Sequence, residues 1–306
     1  MLPVLRTHPR ISTEIGEKTA QRLTWHGPDT NGAQAYQTRV ASTAQGTLGT
    51  GKHQYDPRLH MISGSTGQVA DIVIPNRFRG PPDSGHGGYC AGAFAEVLPE
   101  QVVEVTLRSP IPLDTPLQLR RGPPADVRYR DSLIAEMRSA DLQLEVPVPP
   151  SKQETEAAAE TSYSLASGFN TFHPETGFHP ICFCCGADHD NGLGVFAAPV
   201  LAGKQVAAIW PTRDAWGVEA LLPERFLWAA LDCPGQFAFM AAGIRTGILG
   251  RMTAEVERPA PAGADYLVTG WRVGVDGKKH YAGTAVFDMT GRRIARALAV
   301  WIGRRA

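Results

Sequence analysis

The chain has 306 residues, 43% hydrophobic and 20% charged, with 32 glycines and 24 prolines, a turn-rich globular composition large enough for two cores that excludes a fibrous chain or a small stapled scaffold. Thirty basic residues balance thirty acidic ones, which argues against a broad nucleic-acid or anionic-membrane surface and leaves room only for a local basic patch. No run approaches the ~20 apolar residues of a spanning helix, the first ten residues lack a signal-peptide core, and five cysteines, three of them crowded at Cys182, Cys184 and Cys185, make no disulfide framework; the expectation is a cytoplasmic protein with reduced thiols and neither nucleic acid nor membrane among its partners.

Residues 1–66 scatter Thr, Gly, Gln and His without a sustained apolar period, so a loosely ordered extension is expected, with residues 1 to about 60 adding little to the fold. The pattern leaves open an ordered start, or a start of translation, near Met61. The first strand is expected over 68–74. A glycine-rich turn at 80–88 and a short apolar helix from Tyr89 to Leu98 follow, then strands near 102–108, 116–121, 127–130 and 133–144. In the first of these, Val103, Val105 and Leu107 alternate with Glu104, Thr106 and Arg108, the period of a strand with one buried face. Pro147, Pro149 and Pro150, then a polar run, mark a linker over 148–170 that the pattern leaves as helix or coil.

The second half repeats the order. Strands are expected near 193–198 and 205–210, then a helix opened by Pro223 and carrying Phe226, Trp228 and Leu231, then strands near 250–257, 266–275, 281–288 and 294–302. Asp276-Gly277 and Thr290-Gly291 are turn signals where strands must reverse. A helix followed by an antiparallel run of four strands, twice over, is an α+β arrangement.

His86-Gly87-Gly88 at the opening of the first helix is similar to the His-Gly-Gly signature of the phenylacetate-pathway (PaaI-type) acyl-CoA thioesterases. The second half resembles the same group through 179–186 (HPICFCCG), Asn191-Gly192-Leu193, Pro223-Glu224, 228–235 (WAALDCPG) and 277–285 (GKKHYAGTA). The resemblance covers about residues 68 to 306 and implies the hotdog superfamily, here as a tandem (double) hotdog in which each antiparallel sheet wraps a central helix. Repeat 1 is then 67–147 and repeat 2 is 171–306. Two tandem hotdogs also resemble TesB-type acyl-CoA thioesterases, although no extended motif places the chain among them. The resemblance implies an acyl-CoA, or acyl-carrier, thioester ligand, no cofactor, and compatibility with a homodimer of double hotdogs.

In the family the glycine-rich helix start gives backbone N–H groups to the thioester carbonyl, and a carboxylate nine positions after the histidine acts as base or nucleophile. Nine helical residues span roughly 13 Å, so one helix cannot present both groups to one carbon, and a site must draw on two helices. Nine after His86 is Ala95, and nine before Asp232 is Pro223. Repeat 1 keeps the glycines and repeat 2 the carboxylate. Antiparallel helices would therefore assemble one complete site from His86, Gly87, Gly88 and Asp232 and leave a dead one at Pro223 and Ala95. Glu96 points about 100° away from the position of Ala95 and substitutes poorly. The family's assisting Ser or Thr falls near Leu249 and Gly250, with Thr246 and Thr253 out of register.

Blander readings stand beside these. His-Gly-Gly also reads as a plain turn before a helix, and Asp232 ahead of Cys233-Pro234-Gly235 as the cap of a helix broken by that proline. Cys182-x-x-Cys185 with His179 and His189 nearby has metal-like elements, but no second cysteine pair exists and no metal is expected. Trp228 is a candidate pocket wall. Lys278, Lys279 and His280 are candidate contacts for the phosphates of coenzyme A, or a solvated hairpin tip. A non-catalytic acyl-thioester binding or regulatory protein is the alternative to a thioesterase.

Overall fold

The computed structural model describes residues 61–62, 69–165 and 179–303. The expectation for residues 1 to about 60 lies outside them. In chain order the elements are β1 (Met61–Ile62), β2 (Val69–Val73), α1 (Gly87–Ala95), β3 (Val102–Leu107), β4 (Pro116–Arg120), β5 (Ala125–Tyr129) and β6 (Ser132–Ser139). There follow α2 (Lys152–Ala158), β7 (Ala198–Val200), β8 (Gln205–Pro211), α3 (Glu224–Ala230), α4 (Cys233–Met240), β9 (Ile248–Val256), β10 (Asp265–Asp276), β11 (Lys279–Asp288) and β12 (Arg293–Ile302).

All described strands join one sheet of order β1-β2-β4-β5-β6-β3-β9-β12-β11-β10-β8-β7. Every pairing is antiparallel. The order β2-β4-β5-β6-β3 in the first half is matched by β8-β10-β11-β12-β9 in the second, with the helices between the first and second strands of each set. The strands that follow the helices, β3 and β9, pair with each other (Val103 with Ala254, Val105 with Met252) and fuse the halves edge to edge. The expected α+β arrangement is thus an antiparallel sheet with few helices.

Alternation along the strands decides which face meets the helices. On β3, Val103 and Val105 are buried under α1 while Glu104 points outward, where it takes Arg138 from β6 and Arg251 from β9 as ion partners. The outer face of the second half is covered by the chain that follows β6, into the linker, instead of left wet. Leu144, Val146 and Ala158 pack on Leu267, Trp271, Ala285 and Phe287. Arg296 Nη1 donates to the carbonyl of Leu144 at 3.0 Å and Gln205 Nε2 to that of Val148 at 3.0 Å. Part of the linker is helix, because Ser151 and Glu154 form a reciprocal capping box at its start. The strand expected at 193–198 appears later, as β7. The amides of Leu193 and Val195 are taken by the carbonyls of Phe183 and Cys184 in the cysteine loop and do not reach the sheet.

The helices meet backbone to backbone. A Cβ on Gly88 would lie 2.5 Å from the carbonyl oxygen of Trp228, and one on Gly92 would lie 2.7 Å from Cα of Arg225. Position 88 faces 228 and 232, position 92 faces 225 and 228, and Glu96 bonds Arg225, so the partner number falls as the number on α1 rises. The two helices are antiparallel. Glu96 receives Nη1 of Arg225 on both carboxylate oxygens, at 2.7 and 2.8 Å, with the Arg225 side chain 8% exposed and that of Glu96 32%.

The glycine contact gives a sharp expectation. Gly92→Ala must push the helices apart and should cost about 1–3 kcal/mol, the range of core overpacking. Gly274→Ala on β10, where a Cβ would meet nothing within 4 Å, is the matched control and should leave the melting temperature unchanged in a thermal scan. Glu96→Gln should also cost about 1–3 kcal/mol, since Arg225 loses its charged acceptor in a buried setting, and Glu96→Gln with Arg225→Met should recover part of that loss.

Candidate active site at the helix pair

α1 opens on His86, whose backbone is extended (φ −65°, ψ 126°) and whose Nδ1 accepts the amide of Tyr89 at 3.2 Å. An accepting Nδ1 carries no proton, so in the neutral ring the proton is on Nε2. That nitrogen lies 3.3 Å from Asp232 Oδ2 and 3.3 Å from Cys233 Sγ. Histidine is thus an N-cap whose Nε2 bonds the sulfur of Cys233 and stands beside the carboxylate.

Asp232 sits where α3 gives way to α4. Pro234 has no amide to continue the ladder, the amide of Gly235 bonds the carbonyl of Asp232 at 3.0 Å rather than that of Leu231, and the Leu231 carbonyl is taken by the buried hydroxyl of Thr284 at 2.7 Å. The Asp232 side chain does not cap its own helix, which corrects the reading of it as a simple cap beside the proline. Its Oδ2 accepts the amide of Gly88, on the other helix, at 2.7 Å. Asp232 is 3% exposed. Burial pushes its carboxyl up to about 6, against the pull of the His86 ring and the Gly88 amide.

Gly87 completes the arrangement. It is half-buried, and among the described residues its amide has no hydrogen-bond partner. A Cβ there would lie 3.3 Å from Asp232 Oδ2 and 3.0 Å from Leu249 Cδ2. The missing side chain leaves a notch with an N–H at a helix start on one side and a carboxylate on the other. Such a notch suits a polarised carbonyl beside a base or nucleophile. Leu249 stands where an assisting hydroxyl was sought. Thr253 turns instead toward Glu104, 3.4 Å from Oε2, and Thr246 is buried.

The opposite helix ends, with Ala95 and Pro223, bring no glycine amide to a carboxylate across the helices. Glu96 is held there by Arg225, and burial pushes the carboxyls of Glu96 and Glu224 up. Two cavities open at these ends. One, of about 470 Å³, is bounded by Leu222, Pro223, Glu224 and Arg258; the other, of about 440 Å³, by Ala95, Glu96, Glu224 and Trp228. These two cavities lie at the end of the helix pair away from Asp232.

Trp228 spans the two ends. Its carbonyl touches Gly88, and its side chain packs on Gly92 and walls the second cavity. Lys278 and Lys279 are exposed at the β10–β11 turn, but His280 is 5% exposed, inward-facing, with its ring 5.0 Å from that of Phe239. Phe239 is seven residues beyond Asp232, roughly 10 Å along the helical path. The structure does not bring Lys278, Lys279 or His280 to the carboxylate.

Sequence reading missed the neighbours of Cys233. Its Sγ lies 3.7 Å from that of Cys182; Cys182, Cys185 and Cys233 have their sulfurs within 4.8 Å of one another, as do the ligand atoms of His86, Cys184 and Cys233. His189 stands apart, its Nε2 2.7 Å from the carbonyl of Arg77 and its Nδ1 accepting from Asn191. No spacing motif links residues 182 and 233, so only the fold reveals the cluster.

No protein-family model matches the chain, and no curated protein matches its sequence. Solved structures do resemble it. A candidate thioesterase from Novosphingobium aromaticivorans is 14% identical with a TM-score of 0.55, over 82% of this chain and 100% of that one. A hotdog-fold protein of unknown function from Alicyclobacillus acidocaldarius is 10% identical with a TM-score of 0.54, over 84% and 100%. The acyl-CoA thioesterase II TesB2 of Mycobacterium marinum is 13% identical with a TM-score of 0.50, over 81% and 97%. Strand order, helix placement and these likenesses agree that the chain has the hotdog fold.

Proposed function

We propose that the chain is a double hotdog that hydrolyses an acyl-CoA, or acyl-carrier, thioester at one composite site made by both halves. The observation that carries this reading is the 2.7 Å bond from the amide of Gly88, in the first half, to the carboxylate of Asp232, in the second. The thioester carbonyl oxygen takes the amide of Gly87, at the positive end of α1, where charge developing on oxygen is stabilised without rearrangement. Asp232 then removes a proton from water as it adds to the carbonyl carbon, or adds directly as nucleophile. His86, fixed by its bond to Tyr89, holds the carboxylate in place. The opposite ends lack this set and are inert in this reading.

A second reading has its own support. With Asp232 3% exposed and Leu249 in place of a hydroxyl, the same notch suits a protein that binds acyl thioesters without cleaving them.

Thiol release over short, long and aromatic acyl-CoAs, paired with calorimetric binding, separates the two. Turnover is expected, and Asp232→Asn should lower it by roughly 10² or more while ligand binding persists. Saturable binding without thiol release in the parent protein, or full activity in Asp232→Asn, would transfer the assignment to the binding protein.

A further inference from the structure

Cys233, at the start of α4, gathers three cysteines of one loop about its sulfur, Cys182 and Cys185 in one group and Cys184 with His86 in another. We propose that Cys182, Cys184, Cys185 and Cys233 bind one thiophilic divalent cation of the zinc class, fastening the cysteine loop to the α3–α4 junction.

The plain alternative is that buried cysteines act here as small apolar side chains. Two sets of observations argue for a cation. The first is distance. In a tetrahedral site with metal–sulfur bonds near 2.3 Å, neighbouring sulfurs are about 3.8 Å apart, and Cys182 and Cys233 stand at 3.7 Å with Cys185 in the same group. That is far too long for a disulfide, and all the cysteines are free thiols. Cys184 lies within 4.8 Å of Cys233 but outside the group that Cys182 and Cys185 form with it, and turning its side chain inward would complete the four ligands that a closed structural site takes.

The second is the loop itself. The amide of Cys182 bonds the carbonyl of His179 at 3.0 Å, and the amide of Gly186 bonds that of Cys182 at 2.8 Å, a tight turn that holds the Cys182 and Cys185 sulfurs together. A Cβ on Gly186 would lie 2.3 Å from the Pro180 carbonyl oxygen, so the turn admits only glycine. Phe183 and Leu193 then clamp the loop, with the amide of Phe183 on Arg79 and that of Leu193 on Phe183. The result is a Cys-x-x-Cys turn, the usual half of a structural zinc site, presented to a cysteine from a distant helix.

His86 is excluded as the fourth ligand by its own hydrogen bond. Its Nδ1 accepts from Tyr89, which leaves the proton on Nε2, and a protonated nitrogen cannot bind metal. Nε2–H instead points at Cys233 Sγ, 3.3 Å away. It is the kind of donor that supports a metal-bound thiolate from outside the ligand set. On binding, each thiol releases its proton and the cation takes the sulfur lone pairs. This inference stands independently of the thioesterase reading, since its readout is metal content.

The test uses the full chain, purified under reducing conditions without chelators and with zinc in the growth medium. Elemental analysis should find one zinc per chain. Replacement by cobalt(II) should give the intense near-ultraviolet thiolate charge-transfer band and the visible bands of a tetrahedral thiolate site. Cys185→Ser should lose the metal, Cys184→Ser should bind cobalt with a weaker charge-transfer band, and Cys90→Ala and His86→Gln should keep the metal. A parent protein that carries no zinc and gives no thiolate band with cobalt would overturn the proposal without needing any variant to fold. Metal lost from His86→Gln but kept with an unchanged cobalt spectrum in Cys184→Ser would overturn the four-thiol ligand set.

Discussion

The structure turns on one close approach. At Gly88 and Gly92 the backbone of α1 lies directly against α3, with room for no side chain between them. Aspartate has a single methylene between backbone and carboxyl, so only at this separation can Asp232 reach an amide on the neighbouring helix. The small face 87-88-91-92-95 of α1 makes the approach sterically possible. Its large residues turn the other way, where Tyr89 stacks on Phe78 with ring centroids 3.9 Å apart and Phe94 is fully buried. The edge-to-edge pairing of β3 with β9 then holds the two halves in the relation that brings the helices together.

Antiparallel packing gives the helix pair two similar ends, and the chain has used them differently. At one end a helix start with two glycines meets a carboxylate displaced by the break at Pro234. At the other, Pro223 occupies the place of the glycines and Ala95 that of the carboxylate, and the local charges are consumed by the Glu96–Arg225 pair. In the proposed reading, a duplicated fold that keeps half of a motif in each copy ends with one site. The proposed cation would reinforce that end only, because Cys233 is adjacent to Asp232 in sequence and the cysteine loop belongs to the second half.

Much of this was legible in the residues. Alternation located most of the strands, and Asp276-Gly277 and Thr290-Gly291 located turns that the structure builds with positive φ at Gly277 and Gly291. What stayed hidden depends on contacts between distant segments. No local pattern reports that β3 pairs with β9, that Leu144 and Val146, ahead of the linker, cover the outer sheet, or that Cys233 joins the cysteine loop. His280 is a different case. It was grouped with Lys278 and Lys279 as a polar cluster, yet β11 begins at Lys279, so alternation alone places the next side chain inward. The signal was present and composition obscured it.

The central claim is that both halves contribute to one reacting centre at the Asp232 end. A crystal structure with a carba analogue of an acyl-CoA, in which a methylene replaces the thioester sulfur and the carbonyl is retained, addresses it directly. The account predicts the acyl carbonyl oxygen within hydrogen-bond distance of the Gly87 amide and its carbon beside the Asp232 carboxylate. An acyl group seated in the cavity at Pro223 and Glu224, with nothing against Gly87, would contradict it.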